Sequence, residues 1–315
     1  MNVHVVQIGL GVVGKAYFDS YKSKNIKVSG IEYSRDLIEK YKDESNIYHV
    51  SDDMNQLKKV DFILISVCTP LKDDKLDMSY LFSTLKNVSV IVKNNPEAFV
   101  VIRSTVIPLV CNEYKEKLEK LLDNQKAKVV FNPEFLRAVS AKEDALHPWY
   151  VLLSSIDDID VSPLIELYSN FIDKSKIKQI SIEEAELMKI FHNSFNAAKI
   201  SFFNQCYLLC EKINKKHNKK IDMNNISEIM THTCEGLINR KYGIKAGFAF
   251  SGFCLPKDSA ELAKLEEEYC LESSLFKSIV DVNKEMLEFD KTHNIPITDV
   301  GYFHMNFKDM DHDAV

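Results

Sequence analysis

Short apolar runs alternate with amphipathic stretches through the first half of the chain. Residues 3–8, 26–31, 62–67, 99–103 and 129–131 are mostly β-branched or aromatic along their length, the pattern of strands buried on both faces. Between them, residues 12–22, 35–43, 79–94 and 108–123 place apolar side chains at helical spacing. Strands alternating with helices at this interval predict a parallel, doubly wound α/β sheet. Residues 150–154 and 177–180 are expected to extend it.

The pattern changes at Ser181-Ile182-Glu183-Glu184, where a hydroxyl and a carboxylate three residues apart form a capping box. No Pro or Gly follows until past residue 214, which predicts a helix of about thirty residues, roughly 45 Å long. Further helices are expected near 222–234, 257–269 and 274–290. The predicted organisation is a sheet domain over residues 1–180, a mainly helical domain over 181–292 and a short remainder over 293–315. The apolar surface of the long helix is too wide for one small domain to cover, so a homodimer core is expected there.

The chain has 315 residues, 45% apolar and 27% charged, with net charge −6 and an isoelectric point near 5.9. That balance argues against a nucleic-acid groove. No apolar run reaches the roughly 18 residues of a membrane span, and the N-terminus lacks the basic and small-residue features of a secretory signal. Seven cysteines are scattered without metal-ligand spacing, so no metal site is expected and a reducing, cytoplasmic setting is. Most of these thiols are expected to be small buried hydrophobes.

Gly9-Leu10-Gly11-Val12-Val13-Gly14 lies between the first strand and the first helix. In that context G-x-G-x-x-G marks a Rossmann-type dinucleotide loop. The first glycine permits the turn, the second admits the pyrophosphate and the third lets helix pack on strand, while the helix N-terminus attracts the phosphates. Gly9, Gly11, Val12, Val13 and Gly14 are therefore expected to line the cofactor. Glu32, at the end of the second strand, suits the ribose hydroxyls of NAD and repels the 2′-phosphate of NADP. Arg35 is a residue type that accommodates that phosphate and pulls the other way.

Two clusters carry candidate chemistry. In 247–258 a small-residue loop presents Cys254, and Pro256 then opens a helix. A thiol at a helix N-terminus is favoured as thiolate. Asp258 falls one turn above it. A thiol, a lysine (Lys257) and a carboxylate so grouped suit covalent chemistry on a carbonyl. On the long helix, Lys189 and Asn193 share one side of an otherwise apolar surface, where each needs a polar partner.

Together the motifs make the chain resemble the UDP-glucose/GDP-mannose 6-dehydrogenases over nearly its whole length. They are the glycine loop, Ser66-Val67-Cys68-Thr69-Pro70, Arg103-Ser104-Thr105-Val106, Asn132-Pro133-Glu134-Phe135-Leu136-Arg137, Ala185-Glu186-Leu187-Met188-Lys189 with Asn193, and Cys254-Leu255-Pro256-Lys257-Asp258. The resemblance implies oxidation of a nucleotide sugar from C6 alcohol to carboxylate with two NAD consumed. Cys254 would capture the intermediate aldehyde as a thiohemiacetal, and the derived thioester would be hydrolysed. Lys189 and Asn193 would stabilise negative charge on the sugar oxygen. Asp258 would act with water as the base, and Thr105 and Glu134 would position water. Thr69, Ser104 and Thr105 would lie along the nicotinamide half of NAD. Glu134, Phe135, Leu136, Arg137, Lys189, Asn193, Phe248 and Gly252 would contact the substrate. Arg240 would correspond to an arginine that family dimers insert into the neighbouring site.

The chain departs from the family in three places. Ala138 and Val139 follow Arg137 where an acid or Glu-Gly is usual. Ala249, Ser251 and Phe253 crowd a loop that is usually richer in glycine. Residues 297–307 and Lys308, a candidate substrate lysine, match only the start of the family's third, nucleotide-binding domain. A catalytically silent or altered-substrate relative that still binds NAD or a nucleotide sugar is the alternative reading.

Overall fold

A computed structural model describes residues 3–293 apart from 45, 245, 248 and 253. Phe248, Lys308 and residues 294–315 lie outside the described residues. The chain divides into two compact units, Met1–Ser194 and Phe195–Val315.

The first unit runs β1 (His4–Ile8), α1 (Val12–Ser23), β2 (Lys27–Glu32), α2 (Arg35–Lys40), β3 (Ile47–His49) and β4 (Phe62–Ile65). The hairpin β5 (Leu71–Lys72) and β6 (Lys75–Leu76), α3 (Ser79–Ser83), α4 (Leu85–Asn94), β7 (Phe99–Ile102) and α5 (Val110–Leu121) follow. It closes with β8 (Lys128–Phe131), α6 (Ala141–Leu146), β9 (Val151–Ser155), α7 (Ser162–Tyr168), β10 (Ile177–Gln179) and the first turns of α8 (Ile182–His217). Eight strands pair in the order β10-β9-β8-β7-β4-β1-β2-β3. Strand order reverses between β1 and β4, so a crevice opens beyond their carboxyl ends, where doubly wound sheets bind ligands. The last two strands do extend the sheet, but β9 runs antiparallel to β8.

Alternate strand residues feed two cores, one on each face. Val6, Ile8, Ile63, Ile65, Val100 and Ile102 pack under α4 and α5, while Val5, Phe62, Leu64, Phe99 and Val101 pack under α1, α6 and α7. Burial on both faces is why these strands read as continuous apolar runs. The helix expected over 79–94 is divided at Thr84, whose hydroxyl donates to Leu81 O (2.7 Å). That local bond competes with helix continuation. The hairpin turns on Asp73 and Asp74, both at positive φ, as its tight turn requires.

The capping box forms as its spacing predicts: Ser181 N donates to Glu184 Oε2 (2.9 Å) and Glu184 N to Ser181 Oγ (3.3 Å). From it α8 runs 36 residues, about 54 Å. It stops where Asn218 takes a left-handed conformation (φ 50). Ile182, Ala185, Glu186 and Lys189 are all buried, and their spacing is that of a core-facing helix stripe. Glu186 accepts from Leu109 N (2.7 Å) and Cys111 N (3.0 Å), holding the start of α5 against α8.

The second unit contains the rest of α8, α9 (Met223–Thr233), α10 (Glu235–Ile238), α11 (Leu255–Glu268) and α12 (Leu275–His293). A second buried glutamate, Glu266, accepts from Phe276 N (3.0 Å) and Lys277 N (2.9 Å) at the start of α12. Gln205 of α8 donates to the same carboxylate at 2.9 Å.

The tightest constraint is at the glycine loop. A Cβ on Gly14 would lie 1.8 Å from Gly9 O, so α1 can approach β1 only with glycine there. Gly14→Ala is expected to destabilise the fold by about 3 kcal/mol or more, read as a fall in the denaturant midpoint; an unchanged midpoint would contradict the packing.

Candidate functional site

Gly9 adopts φ +82, and a Cβ there would meet Ser66 O at 2.6 Å. Gly11 faces open space, with no atom within 4 Å of the position a Cβ would take, the clearance a pyrophosphate needs against backbone. Glu32 Oε2 accepts from Leu10 N (2.6 Å), and Oε1 accepts from Tyr33 N (2.7 Å) and Ser34 N (2.8 Å). The carboxylate thus fastens the glycine loop to the end of β2 and keeps lone pairs for further donors. Arg35 is exposed at the start of α2. A cleft of about 400 Å³ opens here, lined by Gly9, Ile31, Glu32, Tyr33, Val67 and Tyr80 among others. These features fit a dinucleotide: a positive-φ turn, a cradle that only glycine leaves open, and a carboxylate at the end of β2 lining the same cleft.

The loops after β4 and β7 are tied together at the same carboxyl edge. Ser104 Oγ donates to Val67 O (2.7 Å), and Thr69 Oγ1 donates to Thr105 O (2.9 Å). Two motifs more than thirty residues apart in sequence thereby become one surface beside the crevice.

After β8, Glu134 turns back on its own loop, its Oε2 accepting from Leu136 N (2.7 Å). Lys189 on α8 is buried; it donates to Glu134 O and lies 3.3 Å from Glu134 Oε1. Phe135 packs near the same ammonium, its ring centroid 5.4 Å from Nζ. Asn193, one turn further on, is exposed, its side chain 3.1 Å from His192 Nδ1. Arg137 is held by Asp144 through Nε (3.0 Å) and Nη2 (2.7 Å), with the Arg137 amide on the same carboxylate (2.9 Å). The Arg137 guanidinium holds the Asp144 carboxyl well below the usual carboxylate range. Trp149 covers the Arg137 guanidinium at 4.6 Å.

In the second unit, Cys254 is exposed and occupies the N-cap of α11. Asp258 N donates to Cys254 O (2.9 Å), which places the carboxylate one turn above the thiol, as the spacing predicts. The Asp258 carboxylate pairs with Lys257; Asp258, and more weakly Cys254, hold that ammonium above its ordinary value. Gly252 has φ +89, a conformation that favours glycine. Asn283 on α12 grips the loop, accepting from Phe250 N (2.7 Å) and donating to Phe250 O (3.1 Å). A cleft of about 320 Å³ beside it is lined by Tyr242, Gly243, Phe250, Leu255, Ser259 and Ile279. Arg240 is exposed in the turn after α10.

The expectation that most thiols are buried is corrected. Only Cys111 is buried, where burial first and the Glu186 carboxylate second push its thiol up. Cys68, Cys254 and Cys270 are exposed, because each sits on a loop or at a helix end rather than on a core-facing stripe. Sequence reasoning passed over Glu186 and Asn283 as positioning residues. Glu186 was detectable, since it falls on the α8 stripe with Ile182, Ala185 and Lys189; nothing local marks Asn283.

Two models of one family match the chain. The UDP-glucose/GDP-mannose dehydrogenase family, NAD binding domain, matches residues 20–172, and its central domain matches 183–285. UDP-glucose 6-dehydrogenase of Rickettsia typhi is 32% identical over 248 residues, covering 76% of this chain and 52% of the relative. UDP-glucose 6-dehydrogenase YwqF of Bacillus subtilis is 30% identical over 243 residues, at 76% and 52%. The chain thus spans about half the length of these curated relatives. The crystal structure of a GDP-mannose dehydrogenase ternary complex from Pseudomonas aeruginosa shares the fold, with TM-score 0.79 at 24% identity over 93% of this chain and 71% of that one. The glycine loop precedes the first matched segment. The chain belongs to the UDP-glucose/GDP-mannose dehydrogenase family.

Proposed function

We propose that this protein oxidises a nucleotide sugar resembling UDP-glucose at C6 to the uronic acid, in two NAD-dependent steps. The observation that carries the reading is the buried Lys189 ammonium held on Glu134. A buried cation is costly unless paired, and this one is held at the carboxyl edge of the sheet, where doubly wound folds bind ligands. Residues 1–180 serve as the NAD domain, 181–292 as the helical domain, and 293–315 begin a third.

NAD, when bound, would supply the hydride acceptor for both oxidations at C6. Gly9, Gly11, Val12, Val13 and Gly14 would hold its pyrophosphate, Glu32 and Arg35 its adenosine ribose, and Thr69, Ser104 and Thr105 its other half. Asp258, through a water, accepts the hydroxyl proton of the substrate. Lys189 and Asn193 stabilise the developing oxyanion by donating to it. Cys254 Sγ forms a bond to the aldehyde carbon, and the carbonyl oxygen takes a proton, giving a thiohemiacetal. Its oxidation leaves a thioester on Sγ. Water positioned by Thr105 and Glu134 cleaves that bond, releasing the carboxylate and returning the thiol. Phe135, Leu136, Arg137, Phe248, Gly252 and Lys308 contact the nucleotide sugar, and Arg240 reaches toward a partner's substrate.

The reading includes a homodimer built on α8, supported by exposed Phe191, Phe195, Ile200 and Leu208 on that helix. It also places the protein in the cytoplasm, supported by seven unpaired cysteines.

With UDP-glucose, UDP-N-acetylhexosamines and GDP-mannose offered in turn, one of them is expected to yield two NADH per sugar at completion. Cys254→Ala should cut the steady-state rate by about 10³-fold or more; an unchanged rate would remove the covalent step. NAD binding without turnover on the whole panel would favour a silent relative instead. Light scattering should give twice the chain mass, and a monomer would contradict the dimer.

Asp144 provides a pH signature. Because its folded carboxyl is held below the ordinary range, its contribution is full above about pH 4 and fades as pH falls below that value. Asp144→Asn should cost about 1–2 kcal/mol at pH 7, allowing for solvent around half-exposed Arg137. In denaturant unfolding across pH, the gap from the unaltered chain should close in acid; a pH-independent gap would show that the ion pair is not its source.

A further inference from the structure

Arg103, the residue after β7, is 3% exposed. Its guanidinium carbon lies 3.3 Å from the Tyr17 ring centroid and 6.0 Å from that of Tyr168. No described atom accepts a hydrogen bond from its Nε or Nη1, and the buried Tyr21 hydroxyl also has no described partner. All three groups belong to residues lining one cavity of about 20 Å³ in the first unit, room for a single water- or halide-sized species.

The charges around that cavity do not balance. Its two lining carboxylates are already committed: Glu134 to Lys189 and Leu136 N, and Asp144 to Arg137 and Ser140. Each lining carboxylate is thus paired with a cation from outside the cavity lining, and among the described residues Arg103 forms no ion pair. The tyrosines do not supply the missing charge. Burial pushes the Tyr17 phenol up to about 12 and holds Tyr21 well above its ordinary value, so both are neutral at pH 7. Tyr168 uses its hydroxyl on Asn132 Oδ1 at 2.5 Å.

We propose that this cavity binds one small monovalent anion, of halide size, against Arg103 and Tyr21. Unmet donors on a buried cation are costly. A halide on the Nε edge of the guanidinium accepts from Nε–H and cancels the unpaired charge. A water offers two lone pairs, must place two protons of its own, and leaves the charge unbalanced. None of its donors belongs to the cofactor or substrate set, although Glu134, Phe135 and Leu136 of that set line the same cavity. It makes the sheet domain a halide-dependent fold.

The test compares thermal melting of the full chain in sodium chloride or bromide with sodium gluconate at equal ionic strength. The halides should raise the melting temperature saturably by several degrees, since a ligand that binds only the folded state stabilises it. Arg103→Gln should abolish the difference. Should that variant not fold, Tyr21→Phe keeps the shape and removes one donor, and should raise the halide concentration needed about 3–10-fold. Crystals grown in bromide should show an anomalous peak within hydrogen-bonding distance of Arg103 Nε. Coincident melting curves for the unaltered chain overturn the proposal. So does ordered water at the site without a bromine signal. A peak without halide-dependent stability marks an adventitious ion only, and overturns it equally.

Discussion

The first two turns of α8 bury opposite charges one turn apart, and the arrangement of the candidate site follows from how each is satisfied. Glu186 gives its oxygens to two amides at the start of α5. Lys189 gives its protons to the loop after β8. Neither charge tolerates burial without those partners, so the helix can seat on the sheet domain in one register only. A one-residue rotation would turn both into the apolar core. The register in turn sets where Asn193 emerges.

The same device recurs. Glu32 holds the glycine loop, Asp144 holds Arg137, and Glu266 holds the start of α12. Each carboxylate accepts backbone amides that a loop or helix start leaves unpaired. Rigid loops at the carboxyl edge of a sheet suit chemistry that depends on orientation, because preset donors need no rearrangement when charge develops. The second unit supplies its thiol by another route. A loop with two glycines, Gly247 and Gly252, is gripped by one amide, Asn283, and ends at a helix start that presents Cys254 to solvent.

Arg103 is the exception to this economy. Its neighbours Ser104 and Thr105 belong to the crevice, yet its own side chain turns under the sheet edge and stacks on Tyr17. Aromatic faces stabilise a guanidinium without accepting its N–H groups. That leaves donors for a species the chain itself does not provide.

Periodicity alone carried the strands, the order of the sheet domain and the extent of α8, because burial on both faces leaves an unbroken apolar signal and a capping box marks a helix start locally. The glycine spacing carried the dinucleotide loop for the same reason: the clash a Cβ would meet at Gly9 and Gly14 lies within the motif. The edge strand β3, the hairpin and the break at Thr84 were not legible. Their signals are short, polar, or depend on a hydroxyl choosing one carbonyl. Tertiary structure alone decided that β9 reverses, that only one of the seven thiols is buried, and that Glu134 meets Lys189 across 55 residues. A sequence records which side chains are available, but the partner that makes a buried charge tolerable is fixed only when distant loops close on it.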